Sequence, residues 1–523
     1  MKRYHGSHGK LGASLATVFC VASSWAGPDI DTSPDRVKTD IRPGLERIGT
    51  IQPKSAKEIR KSNWTVGCET VDRDYTDYHE YKDYLEPLGI KKIRFQAGWA
   101  KCEKQKGVYD FKWIDEIVAD AATRGLELWL ELSYGNPIYE GGGTTVLGAR
   151  LPSSEEGLAA WDRWVEATAL RYKGKVREWE IWNEPNGSKA HTPERLAEFN
   201  VRTARIVKRV DPSAKIAGLA SAGTPFKYFD GFLKRVQELD GLDLFTWFSY
   251  HGYPKNPDAL YGGVGSMKRV LDKYPTKAVL RQGESGCPSE LQHGLALRDY
   301  EWSELMQAKW DLRRMMGDLG RDIESSVFAM MDMVYKGKDA SLINRKGLLR
   351  TTSDKRVEKI KLAYYAVQNA VSVFDQSLTR ITNEVAEVGC TNKVSCYVYH
   401  DEGGRQVVVL WDRSGIPSDS NATIPAAVTV KGCTIKEPVW VDLVSGRIYT
   451  FPAERVKREN GVTVFRDVPV YDAPVLIAEK ECVLNTTVRL KNPVNRALPA
   501  YREFRRLVGS PKTPEKWAFS RKA

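Results

Sequence analysis

Between residues 64 and 374 the chain repeats one unit: a short apolar run of strand character followed by a longer amphipathic stretch of helical period. The pattern predicts strands at 64–67, 92–98, 126–132, 179–184, 215–219, 243–250, 278–282 and 326–331. The helices fall at 77–88, 113–123, 155–172, 193–210, 228–239, about 266–273, 302–319 and 357–374. Eight strands alternating with eight helices over this length predict an α/β chain built as a (β/α)8 TIM barrel. An open doubly wound sheet would carry a Gly-rich phosphate loop after its first strand, and Cys68-Glu69-Thr70-Val71-Asp72 stands there instead.

Beyond residue 374 the period changes to short alternating strands at 394–400, 406–411, 426–430, 438–442, 447–451, 462–465 and 474–478, separated by turns such as Gly403-Gly404 and Ser445-Gly446. This predicts a C-terminal β-sandwich domain packed on the barrel. The expected organisation is a signal peptide at 1–26, a catalytic barrel with an N-terminal wrap at 27–376, the sandwich at 377–482 and a basic tail at 483–523. Lys2, Arg3 and Lys10 precede an apolar stretch, and Ser24-Trp25-Ala26 supplies small residues for cleavage, so the mature protein is expected to be secreted or periplasmic. No later stretch is apolar enough to span a membrane.

The formal charge of +12 is concentrated at the ends, with ten Lys or Arg against two acids from 483 to 523. It therefore gives no reason to expect a nucleic-acid partner for the main domain. A tail of this kind suits electrostatic contact with anionic surface polymers. Seven cysteines remain after the signal. Cys390 with Cys396, and Cys68 with Cys102, are the candidate disulfides, and Cys287 is expected to be the unpaired thiol. There is no CxxC or Cys/His ligand spacing, so no metal site is expected.

A barrel builds its site at the C-terminal ends of its strands. At the end of strand four stands Trp179-Glu180-Ile181-Trp182-Asn183-Glu184-Pro185-Asn186-Gly187, where the proline must stop the ladder and leave Glu184 on the strand tip. Glu284 ends strand seven, three units further round. Two carboxyl groups converging across the mouth meet the requirement of glycoside hydrolysis: one protonates the leaving oxygen and the other attacks the anomeric carbon. Arg94, inside strand two, needs a buried acid, and Glu284 is the expected partner, leaving Glu184 protonated. His251 and Tyr253 straddle Gly252 and point the same way, with the tyrosine hydroxyl placed to donate to a carboxylate. Trp99, Tyr134, Trp182 and Trp247 are candidate platforms for sugar rings.

The segment WEIWNEPN resembles the acid/base motif of clan A glycoside hydrolases, whose fourth strand ends in Asn-Glu and whose seventh ends in the nucleophilic Glu. It is most similar to family 39-like members, which combine WNEPN with a following β-sandwich. The resemblance covers about residues 60 to 480 and implies a retaining O-glycosyl hydrolase acting on polysaccharide or oligosaccharide without a cofactor. It further implies Glu184 as acid/base and Glu284 as nucleophile, supported by Arg94, Asn183 and Tyr253. Strand seven departs from the family pattern, reading RQGESG, and strand eight ends in Met330-Met331-Asp332 where many clan members have Trp. A non-hydrolytic carbohydrate-binding protein on the same scaffold is the alternative.

Overall fold

The computed structural model describes residues 29–484, except 149, 337–340, 376 and 383–385. The expected signal and basic tail lie outside the described residues. Eight parallel strands close into a barrel: Trp64–Gly67, Lys92–Gln96, Glu127–Leu132, Glu178–Ile181, Lys215–Ser221, Trp247–His251, Val279–Ser285 and Ser325–Val327. Strand one pairs with both strand two and strand eight, which leaves the sheet without an edge. Helices follow the strands and start where the sequence supplies caps. The Ser154 hydroxyl accepts from Gly157 N at 2.9 Å, and Thr192 and Ser303 act alike. Gly89 closes the first helix at φ 85°, where a Cβ would lie 2.5 Å from the Lys54 carbonyl.

The lumen is polar at two levels. At the floor, the Arg281 guanidinium lies between Trp129 and Trp247, 3.8 and 4.4 Å from their ring centroids, and pairs with Glu178 at 2.7 Å. Higher up, Gln96, Glu131 and Glu180 stand in register on strands two, three and four. Trp247 is therefore part of the floor and not a sugar platform.

The C-terminal region forms two antiparallel sheets. The larger runs in the order Arg47–Thr50, Arg447–Thr450, Pro438–Asp442, Val475–Glu479, Gln406–Asp412, Val394–His400, Thr379–Arg380. The smaller comprises Glu387–Gly389, Ile424–Lys431, Val462–Val470 and Val456–Glu459. Buried ion pairs join this region to the barrel, including Lys309 to Asp472 at 2.6 Å. Trp411 also donates its indole N–H to Asp258, which Arg313 holds at 2.7 Å.

Three expectations change. The N-terminal wrap is in part an edge strand of the larger sheet, because Arg47–Thr50 finds open backbone partners along Arg447–Thr450. The last helix spans only Leu362–Val373, while Val357–Ile360 pairs with Leu349–Thr351 as a hairpin. All seven described cysteines are free, so neither candidate disulfide forms. Cys68 and Cys102 are instead buried in the main hydrophobic core. No described helix is long and apolar enough to cross a membrane.

Candidate active site

The fourth strand ends earlier than its sequence implies. Its regular ladder stops at Ile181, and Trp182 and Glu184 take left-handed backbone conformations at φ 69° and 48°. Such conformers cost roughly 1–3 kcal/mol each for residues with a Cβ and persist where the surroundings over-determine them. Here the surroundings are backbone hydrogen bonds: Trp182 N donates to Leu132 O at 3.0 Å and Glu184 N to Ala220 O at 2.8 Å. The twist is held from both neighbouring strands, and Pro185 opens a short helical turn that carries the chain away.

Glu284 stands opposite, near the end of strand seven. The strand irregularity there pairs His251 with Glu284 and makes Gly283 necessary. A Cβ at residue 283 would lie 2.2 Å from Ser249 Oγ and 3.1 Å from His251 Nε2. Oxygen atoms of Glu184 and Glu284 come within 4.8 Å of each other, with His251 Nδ1 inside the same group. That nitrogen lies 2.9 Å from Glu184 Oε1 and 3.6 Å from Glu284 Oε2. Among the described residues these three are a set with the donor types to hold a metal ion. Hydrogen bonding already accounts for their convergence.

The two carboxyl groups have different surroundings. Glu284 accepts from Arg94 Nη1 at 3.0 Å and from the Tyr253 hydroxyl. Arg94 is fully buried and also contacts Glu69, Glu131, Glu180 and the Asn183 amide oxygen. For Glu184, burial pushes the carboxyl upward, but the His251 hydrogen bond and charge outweigh it and hold the group below the usual range. For His251, burial pulls downward, while the charges of Glu284 and Glu184 lift the imidazole above its ordinary value. The two directions are those of a hydrogen-bonded imidazole–carboxyl pair, whereas the sequence placed the proton on Glu184 without revealing the imidazole contact.

The remaining sequence candidates separate into two groups. Asn183 is fixed at both ends, its Oδ1 on Arg94 at 3.0 Å and its Nδ2 donating to the Tyr134 hydroxyl at 2.9 Å. Tyr134 presents its ring to Arg73, whose guanidinium lies 4.7 Å from the centroid. These two join the carboxyl pair, as do Arg94, His251 and Tyr253. Trp99 does not: it is fully buried, stacked on Tyr139 and Trp164, with its indole N–H on Glu103. Trp182 is likewise enclosed by Tyr134, Trp161 and Phe199. Neither offers an open face to a sugar, because the helix Glu155–Tyr172 packs its own Trp161 and Trp164 against them. Asp332 is an internal anchor, paired with Lys361 at 2.6 Å and Arg345 at 3.1 Å.

Sequence reasoning left Glu131, Glu180, Arg73 and Lys346 without roles. The signal for the first two was present, since an acid at an inward position of an apolar barrel strand demands a buried cation. Lys346 carried no such signal. It is buried beneath Tyr253, 5.6 Å from the ring centroid, and burial pushes its amine down to about 8.

No family model matches the sequence. The chain is 26% identical over 210 residues to a beta-xylosidase of Geobacillus stearothermophilus, covering 35% of this chain and 41% of that enzyme. The match thus spans less than half the length of that relative. A family 39 glycoside hydrolase from the gut symbiont Bacteroides cellulosilyticus WH2 has a similar structure, with a TM-score of 0.60 and 18% identity over 83% of each chain. A monomeric beta-xylosidase from Caulobacter crescentus CB15 gives a TM-score of 0.51 at 15% identity, over 83% of this chain and 97% of that one. What these likenesses share with the chain is the fold, and it is that of the family 39, clan A glycoside hydrolases: a closed eight-stranded barrel followed by antiparallel sheets.

Proposed function

We propose that the chain is an exported, retaining glycoside hydrolase that works by double displacement. The observation that carries this reading is the approach of Glu184 and Glu284 within 4.8 Å across the mouth, each with a different set of partners. Retaining enzymes keep their carboxyl groups about 5–5.5 Å apart, whereas inverting enzymes need about 6.5–9.5 Å to admit water. The close approach supports the retaining course.

In this reading Glu284 attacks the anomeric carbon, with Arg94 and Tyr253 orienting its carboxylate. The proton shared by His251 and Glu184 passes through Glu184 to the departing oxygen. Bond formation consumes the negative charge of Glu284, which is a main support for the protonated imidazole, so the attack itself makes that proton easier to release. In the second half, Glu184 takes a proton from water and Glu284 leaves as a carboxylate. Beta-xylosidase is the activity named for two of the similar proteins, which makes aryl β-xylosides the first substrates to test. The signal-like N-terminus supports export.

The test is turnover of a panel of aryl glycosides and polysaccharides, with the anomeric configuration of the first product read by NMR. Glu184→Gln and Glu284→Gln should each abolish turnover. A fully active variant of either kind, or a product of inverted configuration, defeats the proposal.

A further inference from the structure

Arg94 is asked to serve more acids than its charge can satisfy. Its five N–H donors are all committed: Nε to Glu180 at 2.7 Å, Nη1 to Glu69 at 2.7 Å and Glu284 at 3.0 Å, and Nη2 to Glu131 and, at 3.0 Å, Asn183. Four carboxyl groups thus surround one guanidinium, and none of their side chains is more than 10% exposed. Buried anions beyond the available counter-charge shed their charge by taking up protons. The question is which acid does so, and with what effect on Glu284.

Glu69 is singled out by two contacts. It shares a single nitrogen, Nη1, with Glu284, one N–H going to each, so the two acids sit side by side on the same end of the guanidinium. Its other oxygen, Oε2, is buried without a hydrogen-bond partner, as is Oε1 of Glu180, but Glu180 sits on Nε and not on the nitrogen that holds Glu284. The Glu69 Oε2 atom lies against the backbone of Gly67, where a Cβ would be only 2.3 Å away, in a pocket lined by Tyr81, Met330, Met331 and Met333. An ionised carboxylate would have no compensation on that side. Burial pushes Glu131 up as well, to about 8, but its Oε1 is satisfied by Ser133 and Gln96 and it shares no nitrogen with Glu284, so its protonation does not bear directly on the nucleophile.

We propose that Glu69 is a positioning residue that acts through Arg94: its carboxyl stays neutral, and the guanidinium charge is thereby committed to Glu284. The proposal rests on Glu284 being the nucleophile. Its chemical consequence lies in the second half-reaction, where Glu284 must depart from the sugar as an anion. A second anion on the same Nη1 would oppose that departure.

The groups facing Glu69 fit this role. Arg94 on strand two is the cation, and the acids are Glu131 on strand three and Glu284 on strand seven. Burial lifts the Cys68 thiol and the phenols of Tyr81, Tyr253 and Tyr335, so these neighbours stay neutral through the working range. Burial pushes Glu69 itself up to about 7, with Arg94 pulling down and Glu284 pushing further up.

The test compares Glu69→Gln, a neutral isostere that can still accept from Arg94, with the wild type across pH. The ratio of kcat, variant to wild type, should climb at least about fivefold between about pH 5.5 and 8.5 as the wild-type carboxyl ionises. A flat or falling ratio overturns the proposal, because a purely structural Glu69 would scale kcat equally at every pH. A second arm needs no turnover. The infrared absorption of protonated carboxyl groups in the wild type at about pH 5.5 should lose one component in the variant, and the wild type should lose that component on raising the pH. If the band is unchanged by Glu69→Gln, or does not titrate in the wild type, Glu69 is not the proton holder. An unaltered band defeats this inference alone, whereas absence of turnover on every glycoside defeats the hydrolase reading and leaves the infrared result to stand or fall separately.

Discussion

Replacing Arg94 by Met is the most informative single perturbation, because it removes one buried cation from four buried acids. The guanidinium is fully buried and donates to Glu69, Glu131, Glu180 and Glu284. Removing one partner of a buried ion pair costs about 3–5 kcal/mol, since the acid left behind is uncompensated. The cost depends on pH with a definite sign. In the variant Glu69 and Glu131, which burial raises and Arg94 pulls down, lose that opposing charge, so their folded pKa values rise further above the unfolded value. Stability from a raised carboxyl is present below the unfolded pKa, about 4.3, and is lost as pH rises towards the folded one. The wild type already shows the same trend through Glu69, near 7, and Glu131, near 8, but with Arg94 opposing it. Urea unfolding at about pH 5 and pH 8 should therefore show a loss of about 3–5 kcal/mol at the higher pH and a smaller loss at the lower. A loss under about 1 kcal/mol at both, or a gap that narrows as pH rises, would show that the cluster is not held by Arg94.

Three further outcomes follow from contacts in the mouth and core. His251→Asn removes the imidazole from Glu184 and should lower kcat/KM by about 10²-fold or more, with a larger loss for aryl glycosides of poor leaving ability; equal losses across leaving groups would remove His251 from the proton transfer. Gly283→Ala places a Cβ 2.2 Å from Ser249 Oγ and should cut activity, and adding Ser249→Ala should restore part of it by deleting the clashing atom. Failure of that rescue would mean that the glycine is needed for another reason. Thiol titration of the unreduced, denatured protein should find at least seven free cysteines, and a lower titre would reveal a disulfide.

The sequence was most legible where period and chemistry coincide. Strand one and the helices Glu155–Tyr172 and Pro193–Val210 have the bounds that the hydrophobic period predicts, since each runs from a clear cap or turn to another. The last barrel helix, Leu362–Val373, starts later than the period implies because Val357–Ile360 has apolar spacing that suits either element, and pairing with Leu349–Thr351 decided for strand. The edge strand Arg47–Thr50 was invisible for a related reason: four residues form a strand only because a distant partner, Arg447–Thr450, is open.

By itself the sequence determined the alternation that closes the barrel and the turn at Pro185, though not the earlier end of the ladder at Ile181, and it presented Glu184 and Glu284 as strand-end acids three units apart. Those are local properties, written in apolar spacing and in the missing N–H of proline. Only the tertiary structure decided what surrounds each acid. It set His251 on Glu184, put four carboxyl groups on Arg94, and enclosed Trp99 and Trp182 so that neither faces a sugar. The reason is physical: protonation and exposure depend on which charges and which apolar groups meet in space, and the side chains that meet Arg94 lie up to 190 residues from it along the chain.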